Sequence, residues 1–351
     1  MQEIHVTENE AGQRLDKLLA KFLREAPKSF LYKMLRKKNI TLNGKKAGGQ
    51  EKLQSGDCIK LFLSDETIEK FSGTSQKVDV PKMTLDIVYE DQNVLFLNKP
   101  VGMLSQKAKD TDYSAVEYVI AYLLGEGEIE EAELRTFRPS VCNRLDRNTS
   151  GLLAAGKSLA GLQELSRLFK ERSLAKYYLC PVKGKVDKDA KIKGYLFKNE
   201  KTNKVTVLNH EIPGSVKIET EYHPLFADES MTLLEVHLIT GKTHQIRSHL
   251  SSVGHPILGD YKYGDTQWNS FYKKKYGLSH QLLHAYRLEF PMLDGPLSNL
   301  SHKIFYAPIP ELFCKICRDA KIIPERWGEF CNSTEDKQKG EERWLHGIQE
   351  V

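Results

Sequence analysis

A polar stretch early in the chain interrupts its apolar patterning and limits how it can fold. Ser64 to Val80 is rich in Ser, Thr, Lys, Asp and Glu and has little apolar pattern, so it need not pack. The whole chain has 351 residues, enough for one large domain or two to three ordinary ones. We therefore expect a small domain over residues 1–63, a linker over 64–83, a larger domain over 84–330 and a charged tail over 331–351.

The first 63 residues have the pattern of a small α+β unit. Apolar residues recur at helical spacing from Leu15 to Leu23, and a second helix is predicted to start near Pro27. Further on, Ile40–Leu42 is followed by the turn pair Asn43-Gly44, and Ile59–Leu61 has the pattern of another short strand. The sequence therefore predicts two helices and a small sheet.

Positive charge is concentrated in this unit. Residues 12–62 contain thirteen Lys or Arg and four Asp or Glu, whereas the net charge of the whole chain is only +5. Lys28–Lys46 contains seven positive side chains and no acid, which is typical of a phosphate-binding surface; a solvated helix face normally mixes both signs. We expect nucleic acid to contact the basic side chains of this unit, namely Arg14, Lys28, Lys33, Arg36, Lys37 and Lys38.

The sequence also argues against several classes of protein. No apolar run reaches the length of a transmembrane helix, and the N-terminus lacks the layout of a signal peptide. Six cysteines are too sparse for a disulfide framework, which favours a reducing compartment. Cys314-x-x-Cys317 has no second pair and apolar neighbours, so we expect a buried helix and no metal. The expectation is a cytoplasmic monomer with no membrane partner.

The segment Asn143–Gly151 places Asp146 between Arg144 and Arg147 and then turns into an apolar run. Opposite charge within a few ångströms favours the ionised form of a carboxyl group, which covalent or charge-stabilising catalysis requires. A surface ion pair followed by a turn is the alternative interpretation. Because Leu152–Ala155 is predicted to be a buried strand, Asp146 would lie on a rigidly held loop.

Two further segments accompany this motif. Lys176–Gly184 alternates like a strand and places Tyr178 on one side of it. Gly241-Lys242-Thr243-His244-Gln245-Ile246-Arg247 follows a strand pattern at Leu233–Leu238 and precedes His255–Asp260. In this order, the segments from about Leu85 to Pro310 resemble the RluA family of pseudouridine synthases. The layout is most similar to the large-subunit ribosomal RNA enzymes of the RluC and RluD type.

The N-terminal unit resembles a second known module. Arg14–Leu19, the basic second helix, the Asn43-Gly44 turn and Ser55-Gly56-Asp57 are similar in order and spacing to the S-four (alpha-L) RNA-binding module. The two resemblances imply an α+β chain in which a pseudouridine synthase fold, with a mainly antiparallel mixed sheet, follows a small α+β RNA-binding domain.

The family resemblance implies roles for individual residues. Asp146 matches the essential aspartate, which attacks either the ribose anomeric carbon or the uracil ring. Tyr178 matches the tyrosine that stacks on the flipped base and is a candidate for removing the proton from its carbon five. Arg247 matches the basic residue that pairs with the aspartate. Arg144 and Arg147 are then expected to contact RNA rather than to serve as partners of the acid.

The implied reaction explains these residue types. It breaks a carbon–nitrogen glycosidic bond, turns the base and rejoins it through carbon, with no metal or cofactor. A carboxylate can stabilise the positive charge that develops on the sugar, and the nucleotide must flip out of the RNA. We expect Asn148 and Thr149, with the two arginines of the motif, to contact phosphate or fill the vacated space. The chain departs from the family in having Asn143 in place of histidine and Asn148 where an acid is common.

Large-subunit ribosomal RNA is the expected substrate, and transfer RNA is an alternative because related enzymes use it. An RNA-binding ribosome-assembly factor without turnover is a second alternative, although the presence of Asp146, Tyr178 and Arg247 argues against it. A glycosidase would need two carboxylates around its bond, and the sequence offers one candidate.

Overall fold

The computed structural model of the chain describes residues 1–73, 81, 83–199, 202 and 204–323. The predicted tail, 331–351, and part of the predicted linker, 74–80 and 82, lie outside the described residues. None of the described helices is long and apolar enough to cross a membrane.

The first unit has the predicted two helices and small sheet. Asn43 and Gly44 both adopt positive φ, as the tight hairpin turn between its second and third strands requires. The sheet has the order β1-β4-β2-β3, and all its pairings are antiparallel. The elements are β1 (Gln2–His5), α1 (Leu15–Phe22), α2 (Lys28–Arg36), β2 (Ile40–Leu42), β3 (Lys45–Lys46), β4 (Cys58–Leu61) and α3 (Asp65–Ser72).

The last of these elements corrects the predicted linker. Helix α3 lies in the first half of it and is capped by Ser64, whose hydroxyl accepts a hydrogen bond from the Thr67 backbone N–H. Ile68 is buried, and Phe71 packs on the same core with its ring 4.6 Å from that of Phe30. The prediction that this stretch need not pack was wrong, because two apolar residues three positions apart are enough to anchor a two-turn helix.

The second unit is built around one large sheet, which confirms the predicted mainly antiparallel mixed architecture. Of the strand pairings described, β14 with β8 is the parallel one. The path is β11-β10-β12-β13-β9-β14-β8-β6-β5, with β15 paired to β14 and β7 to β8. The strands are β5 (Ile87–Glu90), β6 (Val94–Lys99), β7 (Ser140–Val141), β8 (Ser150–Gly156), β9 (Ala175–Lys183), β10 (Ala190–Asn199), β11 (Lys204–Leu208), β12 (Val216–Ala227), β13 (Met231–His237), β14 (His284–Glu289) and β15 (Ile304–Tyr306).

Helices cover both faces of this sheet. In β6 and β8, alternate residues enter opposite cores: Leu97 and Leu153 pack on one face, Phe96 and Leu152 on the other. Central strands that are buried on both sides therefore read as nearly continuous apolar runs. The helices are α4 (Ala115–Gly125), α5 (Leu159–Glu171), α6 (Gln245–Ser252), α7 (Thr266–Tyr276) and α8 (Glu311–Asp319), with short 3-10 turns at Glu133–Arg135 and Gly295–Leu300.

The two units also contact each other directly. The buried Thr136 hydroxyl lies 2.8 Å from Oε1 of Glu10, and the Leu159 backbone N–H donates to Oδ1 of Asn9 at 2.8 Å. The two units are therefore joined by direct contacts as well as by the chain segment between them. Polar contacts hold the first unit against the second, and they join residues more than a hundred positions apart.

Candidate active site

The Asp146 loop lies between β7 and β8 and is braced from within. Oδ1 of Asn143 accepts from the Ala154 backbone N–H at 2.8 Å, while its Nδ2 donates to the Leu152 carbonyl at 3.2 Å. The Thr149 N–H donates to the Asp146 carbonyl at 3.0 Å and closes the turn. Asn143, where the family usually has histidine, thus fixes the start of the loop to the strand at its end.

A neighbouring turn, residues 99–105, holds the same loop from outside. The Ser105 hydroxyl both accepts from the Leu145 N–H at 3.0 Å and donates to the Leu145 carbonyl at 2.9 Å. The fully buried Lys99 donates from Nζ to the carbonyls of Pro100, Met103 and Arg147 at 2.9, 2.9 and 3.2 Å. Burial lowers the pKa of Lys99 to about 7. The backbone on both sides of Asp146 is therefore fixed.

The motif ends where β8 meets β14. Gly151 has φ of +109°, and a Cβ atom there would lie 2.1 Å from the Ala285 carbonyl oxygen, so only glycine fits. Beside it, the Ser150 hydroxyl lies 2.9 Å from Nδ1 of the buried His284. The parallel pairing of His284 with Ser150 therefore sets where the Asp146 loop leaves the sheet.

Arg247 reaches the loop from α6, about a hundred residues further along the chain. Its Nη1 donates to Oδ2 of Asp146 at 2.8 Å. Its Nε and Nη2 donate to the two carboxylate oxygens of Asp260 at 2.7 and 3.0 Å. The contact expected between Asp146 and Arg247 is thus present, and a second carboxylate lies behind it.

A histidine also faces the acid. His244 precedes α6 with φ of +54°, and its Nε2 lies 3.9 Å from Oδ2 of Asp146. Its Nδ1 lies 2.9 Å from the hydroxyl of Tyr263, which accepts from the Val205 N–H. Burial lowers the pKa of His244, so we assign a neutral ring whose Nε2–H points toward Asp146.

Tyr178 belongs to the same cleft. It is buried on β9, on the sheet face that carries Leu145 and Ile246. Burial, together with the negative charge of Asp146, raises the pKa of the Tyr178 phenol well above its ordinary value. Asp146, Arg247 and Tyr178 all line one cleft of about 930 Å³.

The charge of the cleft is strongly one-sided. Among the described residues that line it, Asp146 is the one carboxylate. The basic residues of the lining are Lys107, Arg144, Lys170, Arg172, Lys176, Lys198, Lys242 and Arg247. Such a positively charged cleft can bind a polyanion and place the reacting atom of that polyanion beside the one carboxylate.

The other residues of the motif differ in their availability to RNA. Arg144 is exposed and lines the cleft, and Arg147 is exposed while its Nε donates to the Gly102 carbonyl at 3.1 Å. Asn148 is partly exposed. Thr149 is only 2% exposed and its hydroxyl accepts from Gln281 at 3.3 Å. Thr149 also lines the cleft, so its expected contact with RNA or with the vacated space stays a prediction.

The predicted RNA-binding residues of the first unit are mostly on its surface. Arg14 is engaged with Asp16, to which its Nη2 donates at 2.6 Å, so it is less available than expected. The remaining five residues are exposed and lie on α2 and directly after it: Lys28, Lys33, Arg36, Lys37 and Lys38.

The sequence did not single out a possible ligand group in the first unit. Glu3, His5 and Cys58 place one ligand atom each within 4.8 Å of one another, because His5 and Cys58 are direct partners across β1 and β4. Glu3 already binds Lys60 at 2.8 Å. Cys317 is buried in α8, as expected for a structural residue. Neither place contributes to the cleft.

Sequence reasoning also missed three residues of the site. Lys99 and Ser105 brace the loop from a turn forty or more positions away, and Asp260 orients Arg247. The Asn98-Lys99-Pro100 string and the Gly259-Asp260 pair were visible, but only the fold shows which carbonyls and which guanidinium they contact.

Comparison with known proteins is consistent with this geometry. A family profile described as RNA pseudouridylate synthase matches residues 93–252. The ribosomal large subunit pseudouridine synthase C of Vibrio cholerae is 32% identical over 299 residues, covering 83% of this chain and 89% of the relative. The protein of the same name from Escherichia coli is 31% identical over 300 residues, covering 82% and 88%.

A solved structure shares the fold. Human RNA pseudouridylate synthase domain containing 4 aligns with a TM-score of 0.54 and 22% identity. The alignment covers 68% of this chain and 94% of the human chain. At this level of sequence identity, the similarity shows a shared fold alone.

Proposed function

Since the chain belongs to the RNA pseudouridylate synthase family, and is therefore an isomerase that makes pseudouridine, we propose that it modifies uridines of large-subunit ribosomal RNA with Asp146 as its catalytic residue. The observation that carries the proposal is the cleft itself. It holds Asp146 as the one carboxylate among its described lining residues, anchored by Arg247 and surrounded by cationic side chains.

Asp146 is the group that acts on the flipped nucleotide. Its Oδ2 is engaged by Arg247, while no hydrogen bond reaches its Oδ1 from the described residues. That oxygen can approach the reacting carbon while the loop stays fixed. A carboxylate so placed can capture or stabilise the positive charge that forms when the glycosidic bond breaks. A glycosidase is disfavoured because Asp260 is buried behind Arg247 and cannot flank a bond in the cleft.

Tyr178 keeps the detached base in place. The raised pKa of its buried phenol leaves the hydroxyl protonated at neutral pH. The proposal therefore gives its ring the role of a platform on which the uracil stacks while it turns, since aromatic faces accept any base without sequence-specific contacts.

The first unit provides a second contact with RNA. We assign it the role of an S-four module, because Lys33, Arg36 and Lys37 are exposed on α2 and its immediate end. The enzyme is proposed to act as a monomer, in the cytoplasm where ribosomal RNA is assembled.

Mapping pseudouridines in the host's RNA, with and without the gene, tests the substrate. We expect one or a few pseudouridines of large-subunit ribosomal RNA to disappear on deletion and to return with the wild-type gene but not with Asp146→Asn. Loss confined to transfer RNA would replace the proposed substrate. Unchanged pseudouridines in both RNAs, or restoration by Asp146→Asn, would contradict the proposed activity or its residue.

Neutralising the exposed helix tests the first unit. Lys33→Gln, Arg36→Gln and Lys37→Gln together should weaken binding of a large-subunit RNA fragment. They should also lower the slope of log Kd against log salt by about 0.7–0.9 for each lost phosphate contact. A matched control replaces Lys315, Arg318 and Lys321 by Gln; these three residues are exposed on α8 and directly after it. Equal effects in both variants would mean that the first unit has no specific role in binding.

A further inference from the structure

We propose that Asp260 is a positioning residue for the reaction: it fixes the guanidinium of Arg247 and takes up part of its charge, so that Asp146 keeps one oxygen free and an uncompensated negative charge. The inference rests on the proposed role of Asp146 as the catalytic residue. It assigns a role to the Gly259-Asp260 pair, for which the reaction itself gives none.

The geometry of the three side chains carries the first half of this proposal. Asp260 receives two parallel hydrogen bonds from Arg247, from Nε at 2.7 Å and from Nη2 at 3.0 Å. A bidentate pair of this kind fixes the guanidinium plane and not only its distance. With Nε and Nη2 occupied, Arg247 presents Nη1 to Asp146, at 2.8 Å.

The charges of the three side chains support the second half of the proposal, that Asp260 takes up part of the charge of Arg247. Two carboxylates share one guanidinium, so the group as a whole bears one negative charge. Asp260 is 1% exposed, whereas the Asp146 side chain is 24% exposed and opens to the cleft. The pair behind the cleft is screened little by water, so neutralising Asp260 would direct the full charge of Arg247 toward Asp146. Asp146 would then be a weaker nucleophile and a weaker stabiliser of a cation.

The local fold holds Asp260 for this task. Its Oδ1 accepts from the backbone N–H groups of Lys262 and Tyr263 at 2.9 and 3.0 Å. Although burial alone would raise it, the hydrogen bonds and charge of Arg247 together with these two N–H groups hold the pKa of Asp260 below its usual value. The carboxylate therefore stays charged throughout the neutral range.

The backbone of this segment is fixed as well. Asn269 of α7 accepts from the Gly259 N–H at 2.8 Å and donates to the Asp260 carbonyl at 2.9 Å. Gly259 has φ of +77°, and a Cβ there would lie 2.1 Å from the His280 carbonyl oxygen. Asn269 is buried, so its side chain is not available to bind a molecule outside the protein.

The test compares Asp260→Asn with Glu235→Gln. Glu235 is paired with Arg287 in a partly buried setting on the sheet, outside the cleft lining, so its variant controls for breaking an ion pair away from the site. For each protein we would measure unfolding by urea, RNA affinity, and the single-turnover rate of pseudouridine formation between pH 5 and 9.

We expect Asp260→Asn to bind RNA within about twofold of wild type while its rate constant falls by about a hundredfold, as misplaced catalytic groups do. Glu235→Gln should change stability only. A wild-type rate in Asp260→Asn would overturn the proposal, as would a similar loss of rate in Glu235→Gln.

A second variant keeps the test valid if Asp260→Asn does not fold. Asp260→Glu retains the charge but displaces the carboxylate, so the rate constant should fall while RNA affinity stays within about twofold of wild type; a wild-type rate would overturn the proposal. Asp146→Asn, measured in parallel, separates the two hypotheses. Activity in Asp146→Asn would refute the proposed function, whereas an inactive Asp146→Asn beside an unchanged Asp260→Asn would refute this inference alone.

Discussion

Acidification should destabilise this protein through a histidine beside the Asp146 loop. His284 is fully buried, with Nδ1 2.9 Å from the Ser150 hydroxyl and Nε2 3.3 Å from the Ala307 carbonyl oxygen. These contacts fit a neutral ring that donates through Nε2–H to the carbonyl and accepts at Nδ1 from the hydroxyl. Burial lowers the pKa of His284 to about 4, from an ordinary 6.5.

The sign and the size of this pH effect on the free energy of unfolding follow from the pKa difference of His284 between the folded and unfolded states. Because the folded pKa is below the unfolded one, the unfolded chain binds more protons between pH 6.5 and 4. The contribution of His284 is therefore complete above about pH 6.5 and is lost as the pH falls toward 4. At about 1.4 kcal/mol for each pH unit, the interval from 6.5 to 5.0 corresponds to about 2 kcal/mol.

Urea unfolding at pH 7.5 and 5.0 measures this directly. His284→Gln should be less stable than wild type at pH 7.5, because a buried hydrogen bond is lost, but its stability should fall by about 2 kcal/mol less between the two pH values. His210→Gln, at an exposed position, is the matched control and should keep the wild-type pH dependence. His249, whose pKa burial lowers to about 4, is present in all three proteins and cancels. Equal losses in wild type and His284→Gln would refute the reasoning.

Two further substitutions test the scaffold of the site. Asn143→Ala removes both hydrogen bonds that tie the loop to β8, so we expect about 1–3 kcal/mol less stability in urea unfolding and a lower single-turnover rate; a wild-type rate would show that the brace is dispensable. Thr136→Val removes the hydrogen bond to Glu10 between the two units, so the melting temperature should fall while the rate on saturating RNA stays within about twofold. A rate that fell further would mean that the docking of the first unit acts on catalysis.

The local elements could be predicted because their signals are local. The Asn43-Gly44 hairpin follows from turn chemistry, and helix α1 follows from the apolar residues that recur at helical spacing from Leu15 to Leu23. Helix α3 was missed because its apolar residues stand among charged ones. In a two-turn helix, two buried side chains are too weak a pattern to recognise in the sequence.

The site required more than local patterns. Its two motifs identify Asp146 and Arg247, but their contact joins residues about a hundred positions apart and was expected only through the family resemblance. Asp260 lies thirteen residues after Arg247, beyond any helical or strand spacing, so its bidentate contact could not be read from the sequence. The contacts of Lys99 could not be predicted either, because its partners are backbone carbonyl groups, which every residue has.

The most direct test of the account is the release of tritium from carbon five of uridine, using labelled large-subunit ribosomal RNA at saturating enzyme. Wild type should release it in a single turnover, whereas Asp146→Asn, with the same volume and Arg247 still in place, should bind the RNA and release none above background. Release by Asp146→Asn at a rate near that of wild type would contradict the claim that this carboxylate, the one acid among the described residues lining its cleft, carries the reaction.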